Sequence, residues 1–321
     1  MLRKVLVPLD GSAFAEQALP MALAIARRAG ARVQLVTVRA SLQTDLSLPG
    51  AEEYLDGLAG RIEPVLPGRI DRAVLTSELG RLEYPLARST VAEVLAKAAG
   101  DLGVDLIVMT THGRGGIRRA WLGSVADSLL RIAPRPVLLI RPRDEEFGSA
   151  IDADRGISHI VVALDGSERA ERMFEHARSL GEAFGARYTL LRVLQPLLLT
   201  PAAEWSGAIT AVPQPVENAE AAAQYLEGVA ERMRSVGLDV NTCVLESMAP
   251  EAAIMEWAET HGADLIALST SGLGGVRRFL IGSVADKVVR TSTLPVLLAN
   301  TRSAAASTEE ESEARRMAEI G

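Results

Sequence analysis

Two glycine-rich stretches concentrate the residues that could hold an anion. The first runs Thr111-His112-Gly113-Arg114-Gly115-Gly116-Ile117-Arg118-Arg119-Ala120-Trp121-Leu122-Gly123-Ser124. It follows the apolar run Leu106 to Met109 and precedes a stretch with helical spacing, so it reads as strand, loop, helix. The start of a helix carries unpaired N–H groups and partial positive charge, and glycines before it let the backbone approach a ligand closely. Gly113, Gly115, Gly116 and Gly123 supply that freedom, Ser124 a hydroxyl and an expected N-cap, and Arg114, Arg118 and Arg119 positive charge. The second stretch offers Gly272, Gly274, Gly275, Gly282, Ser283, Arg277 and Arg278, with Leu273 in the place of Arg114. Asp10 and Asp165 each end an apolar run in Asp-Gly-Ser. A carboxylate there could accept hydrogen bonds from a ribose or base, or hold a metal through water. The competing reading is an Asx-turn that caps the chain's own turn, as Ser124 and Ser283 could simply cap helices.

Other chemistries lack their residues. His112 has Ser271 as its counterpart, which argues against a shared catalytic histidine. Neither loop contains the Gly-Lys-Ser/Thr of a Walker element, and no Gly-x-Ser-x-Gly nucleophile elbow occurs. Both loops follow the fourth strand pattern of their half, not the first, so they are not a Rossmann fingerprint. Cys243 is the single cysteine and excludes an intramolecular disulfide. No His/Cys/Asp/Glu set has metal-ligand spacing, and no catalytic residue is assigned. The net charge of -7 gives no support to a nucleic-acid partner. No apolar run reaches the length of a membrane span, so a cytoplasmic protein is expected.

The elements that must position these residues occur twice. Lys4 to Ser12 matches His159 to Ser167 at an offset of 155, and the glycine loops match at 159. The reading is a first domain over 1–143, a linker over 144–156, a second domain over 157–300 and an acidic tail, expected to be disordered, over 301–321. In each half, short apolar runs alternate with helical patterns, which means βαβ units around a parallel sheet with helices on both faces. Apolar residues make up 48% of the chain and aromatics 4%, so the core is expected to be Val, Leu, Ile and Ala. The least legible region is 41–70, where prolines and glycines interrupt a possible helix from Glu52 to Ile62. Pro20 should kink the first helix, and Thr90 with Glu93 has capping-box spacing.

Together these motifs resemble the universal stress protein family in its tandem, two-domain form, over about 280 residues. The nucleotide-binding variant of that family carries Gly-x-x-Gly, nine residues, then Gly-Ser or Gly-Thr. Gly113 with Gly123-Ser124, and Gly272 with Gly282-Ser283, fit the latter part; Thr110 and Ser269 stand where the first glycine would be. The resemblance implies an open five-stranded parallel sheet in the order 3-2-1-4-5 per domain, and pairing of the domains through strand 5, here within one chain. A further homodimer is compatible with it. It also implies a site for ATP or a related adenine nucleotide, with Mg²⁺ as an accompanying ion. Asp10, Val38, Gly113, Arg114, Gly123 and Ser124 would form it in the first domain, and Asp165, Val193, Gly272, Gly282 and Ser283 in the second. The expected role is regulatory and stress-related. The alternatives are a nucleotide-independent structural or interaction module and, ranked lower, a slow ATPase.

Overall fold

The structure is a computed structural model that describes residues 1–40, 50–77, 90–111, 122–142, 156–196, 218–270 and 281–300. The first half contains β1 (Lys4–Pro8), α1 (Ala13–Glu16), α2 (Leu19–Ala29), β2 (Arg32–Ala40), α3 (Ala51–Ile62), β3 (Ile70–Ser77), α4 (Val91–Asp101), β4 (Leu106–Thr110), α5 (Ser124–Ile132) and β5 (Val137–Ile140). The second contains β6 (His159–Ala163), α6 (Glu168–Gly181), β7 (Arg187–Leu194), α7 (Ala219–Arg234), β8 (Val240–Glu246), α8 (Pro250–Thr260), β9 (Leu265–Ser269), α9 (Ser283–Thr291) and β10 (Val296–Ala299).

The strands form one ten-stranded sheet in the order β3-β2-β1-β4-β5-β10-β9-β6-β7-β8. Each half is therefore the expected parallel 3-2-1-4-5 sheet. The halves meet where β5 pairs antiparallel with β10, Leu138 opposite Leu297. Successive strand residues face opposite sides. Val5, Val7, Val33, Leu35, Val108 and Leu138 enter one core with α2, α3, α6 and α7. Leu6, Val36, Ile107, Leu139 and Leu298 enter a second core with α4, α5, α8 and α9. Covered on both faces, the strands read as continuous apolar runs without alternation.

Local chemistry sets the helix boundaries. Ser12 caps α1 through the Ala15 N–H, and the helix stops at Glu16. Pro20 would have no N–H to give the Glu16 carbonyl, so the chain restarts as α2 with proline in its first turn. Gly30 closes α2 at φ 69°. Thr90 and Glu93 form the reciprocal capping box. Within 41–70, α3 does form, and β3 starts at Ile70.

Candidate functional site

In each half the chain leaves β1 (or β6) toward one face of the sheet and leaves β4 (or β9) toward the other. The crevice where ligands bind in open parallel sheets lies at this switch, beyond the carboxyl ends of the strands. On one side of it stands Asp10. Its Oδ1 accepts from the Ser12 N–H at 3.0 Å and the Ser12 hydroxyl at 2.6 Å, while Ser12 Oγ accepts from the Ala15 N–H at 3.1 Å. Gly11 makes this turn possible at φ 80°, a conformation that a side chain would strain. The second half repeats the arrangement: Asp165 Oδ1 takes the Ser167 N–H at 3.0 Å and hydroxyl at 2.6 Å, with Gly166 at φ 84°. The Asx-turn reading is thus correct for one oxygen of each carboxylate.

On the other side stands the start of α5. The Thr111 N–H donates to Ile140 O at 2.9 Å and the Gly123 N–H to Thr111 O at 2.8 Å, tying both ends of the glycine-rich loop to the sheet. Thr270, Ala299 and Gly282 repeat this, at 3.1 and 2.8 Å. The expectation that Ser124 and Ser283 are N-caps is corrected here. Gly123 and Gly282 are the caps, neither helix has a side-chain cap bond, and the serines are the exposed first helical residues. Serine one position too late cannot fold its hydroxyl onto the first-turn N–H groups, so a glycine backbone guards the helix start. Asp127 and Asp286 sit in these first turns, paired with Arg131 at 2.9 Å and Arg290 at 2.9 Å.

Val38 and Val193 occupy matched places near the ends of β2 and β7, half-buried against the second core. Gly113, Arg114 and Gly272 lie outside the described residues, as do Arg118, Arg119, Arg277 and Arg278. Thr110, where the resemblance has glycine, is buried at the end of β4, and Ser269 half-buried at the end of β9.

Two features escaped the sequence reading. The Tyr54 hydroxyl donates to Glu16 Oε1 at 3.0 Å, and Arg61 meets the other oxygen of Glu16 at 3.2 Å. In the second half Arg232 is 2.6 Å from Glu171 and Tyr225 lies beside that carboxylate, but among the described residues its hydroxyl has no hydrogen-bond partner. Burial first, and the neighbouring Glu16 or Glu171 second, push both phenols well above the usual tyrosine range. The signal was present: Glu16 and Glu171 share the 155 offset, and Tyr54/Tyr225 and Arg61/Arg232 share another, 171. The second feature is an asymmetry. Arg192 is buried in β7, donates to Leu164 O at 3.3 Å and leaves about 3.2 Å for any Cβ on Gly166. Its guanidinium underlies the Asp165 turn, touching both neighbours of that residue. The first half has Thr37 there, 2% exposed, whose Oγ1 has no hydrogen-bond partner among the described residues.

Comparison with known proteins gives a consistent pattern. The model of the universal stress protein family matches residues 1–141 and again 156–300. A universal stress protein of Synechocystis is 24% identical over 321 residues, covering 92% of this chain and 99% of its own. One from Thermus aquaticus is 35% identical over 141 residues, 44% of this chain and 100% of its own. The crystal structure of a universal stress protein from Archaeoglobus fulgidus superposes with a TM-score of 0.62 at 20% identity, covering 93% of this chain and 98% of that one.

Proposed function

The chain belongs to the universal stress protein family, and from that premise we propose that it is a stress-response regulator that binds ATP or a related adenine nucleotide in one or both halves. The observation that carries the reading is the paired geometry of the crevice. A turn-locked carboxylate, Asp10 or Asp165, stands at the end of the first strand. Across the switch point a helix starts behind a bare glycine cap. The first suits hydrogen-bond donors on a base or ribose, the second suits phosphate oxygens. Val38 and Val193 would supply apolar contact to the base. The cap fits a phosphate: glycine carries no side chain to block the first-turn N–H groups. Among the described residues no group of three or more His, Cys, Asp or Glu is arranged to hold a metal. A magnesium ion would then be carried mainly by phosphate oxygens and water. Its role would be to screen phosphate charge.

One observation favours the second reading, a nucleotide-independent interaction module. Thr110 and Ser269 replace the first glycine of the family's nucleotide motif, so the loop has less backbone freedom where it leaves the strand. Nucleotide content decides between the two. Gently purified protein is denatured and released nucleotide is quantified by mass spectrometry, after which the emptied protein is titrated with ATP and Mg²⁺. Saturable binding at one or two per chain supports the first reading. Neither bound nucleotide nor saturation transfers the conclusion to the module.

A further inference from the structure

The halves of this molecule act as internal controls for one another, and they disagree at their junction. A cavity of about 200 Å³ lies there, where the chain entering β4 and β5 meets α6 and the end of β10. Asp105, Arg135, His176, Ser179 and Asn300 line it with polar groups, and Met1, with the N-terminal ammonium, joins Leu2, Leu106, Leu180 and neighbouring prolines in the rest of the lining. Asp105 serves the fold, since its Oδ2 accepts the Arg3 and Lys4 N–H groups at 2.7 and 3.0 Å. Asp264, its repeat counterpart, does the same for Ser158 and His159, at 2.7 and 3.1 Å. The remaining polar groups have no such shared role. At the matching places of the other half stand Met21 for His176, Ala24 for Ser179, Leu294 for Arg135 and Arg141 for Asn300. Met21 and Ala24 are each 1% exposed, so hydrocarbon is packed there. Arg141 spans its side of the junction and donates to the carbonyls of Arg290 at 2.8 Å and Ser292 at 3.3 Å. Three of the four differing positions are polar on this side and apolar on the other.

Arg135 is exposed and His176, Ser179 and Asn300 are half-buried, so water reaches all four, and their kind states the chemistry of a ligand able to replace it. Arg135 brings a fixed positive charge and planar donors suited to paired oxygens. His176 is half-buried, and Ser179 and Asn300 add neutral donors. We propose that this junction cavity binds a small oxyanion, held by the Arg135 guanidinium and the His176 ring, with Ser179 and Asn300 as neutral donors. The cavity, about 200 Å³, admits a small ligand. The cavity shares no residue with the crevices of the candidate nucleotide sites, so the inference stands independently of the nucleotide reading. A ligand seated here touches both halves and would stabilise their docking.

Ionisable groups around His176 give a direct readout. Burial, then Arg135, hold its ring below the ordinary histidine range, against an opposing pull from Glu175; Asp105 also faces the cavity. An anion beside the ring favours its protonated form, so the ring should titrate at higher pH when the ligand is bound. The test follows the histidine ring resonances of the full chain by NMR, with His176→Met identifying the signal. Acetate and inorganic phosphate are titrated separately against sodium chloride at matched ionic strength. The expected result is a saturable shift of the His176 signal, not produced by chloride, with at least tenfold weaker binding in Arg135→Leu. Both variants install the residue that the mate already packs, and circular dichroism checks that the fold is kept. Saturation by acetate alone assigns a carboxylate ligand, by phosphate alone a phosphate. Curves that superimpose on chloride, or an Arg135→Leu titration identical to wild type, overturn the proposal.

Discussion

At the residue scale, the glycine cap allows folding and binding to be separated. Gly123 sits at φ -59° and ψ 147°, a conformation open to any residue. Aspartate is a strong N-cap and its charge complements the helix start, so Gly123→Asp should leave the fold intact or stabilise it by about 1 kcal/mol. The same carboxylate would cover the first-turn N–H groups and repel a phosphate. We therefore expect an unchanged or raised melting temperature together with at least a tenfold loss of ATP affinity by calorimetric titration. Gly282→Asp should have the smaller effect, because Leu273 replaces Arg114 in that loop. Equal losses at the two sites would contradict this ranking. His159 supplies a prediction in pH. It is 3% exposed, with Nε2 2.9 Å from Thr189 Oγ1. Burial first and Arg187 second depress its titration below the ordinary 6.5. A depressed folded value means that the unfolded chain takes up the proton more readily. Stability is then fully present above the unfolded value and is lost as pH falls through the folded one. His176 acts in the same direction. Urea midpoints should fall between about pH 7.5 and about pH 5.5, and less so in His159→Gln, which keeps a side chain able to reach Thr189. A pH dependence identical to wild type would remove His159 from the account.

At the scale of elements, helix–strand packing differs between the repeats in a coordinated way. A Cβ on Gly181, at the end of α6, would come within 2.8 Å of the Tyr188 ring and 2.9 Å of Ile160 Cδ1. The matching pair in the first half is Ala26 and Val33, both fully buried. A small residue on the helix admits a large one on the strand. Gly181→Ala should thus cost about 1–3 kcal/mol from overpacking, partly offset by about 1 kcal/mol of helix propensity. Tyr188→Val alone should leave a cavity. The double variant reproduces the first half's packing, and its destabilisation in urea should be smaller than the sum of the single changes by more than about 1 kcal/mol. Strict additivity would show that the two positions do not pack as a unit. This compensation illustrates what the sequence could reveal. Periodicity, Pro20 and the Thr90–Glu93 box sufficed to place most elements, because these signals are local. The repeat supplied the strand order through the family resemblance. Other features depend on contacts between distant segments. Glu16 meets Tyr54 and Arg61 only once α3 lies beside α1. Arg192 reads as an ordinary charge until β7 places it under the Asp165 turn. The cap position shifted by one residue for a related reason: Gly-Ser before a helical pattern leaves the boundary open, and the tie from Gly123 to Thr111 decides it.

At the scale of the whole molecule, the question is whether two repeated domains behave as two bodies. The strands at the join are short, each four residues, and three residue pairs connect them. By hydrogen bonds alone this would be a weak seam. The side chains argue otherwise. Leu138 and Leu297 contribute to the core on one face, and Val137, Leu139, Val296 and Leu298 to the core on the other. Each core includes residues from both halves, so opening the seam would expose apolar surface on both sides of the sheet at roughly 25 cal/mol per Å². Charge adds to the join: Arg290 reaches Asp127 of the other half at 3.7 Å, and Arg141 holds the end of α9. The ion pair, long and still open to water, contributes little, whereas a carbonyl pair at a helix end that loses its donor costs about 1–3 kcal/mol if water cannot replace it. We therefore expect calorimetry to show one unfolding transition, with a van't Hoff enthalpy equal to the calorimetric enthalpy. Arg141→Ala should lower its midpoint, and Asp127→Asn should change it much less. Burying a carboxylate in the seam by Leu138→Asp should uncouple the halves and divide the transition in two, since each keeps its own α/β core away from the join. Two transitions already present in the unaltered chain would mean that the shared cores do not couple the halves, and that a ligand bound in one domain cannot act on the other through the sheet.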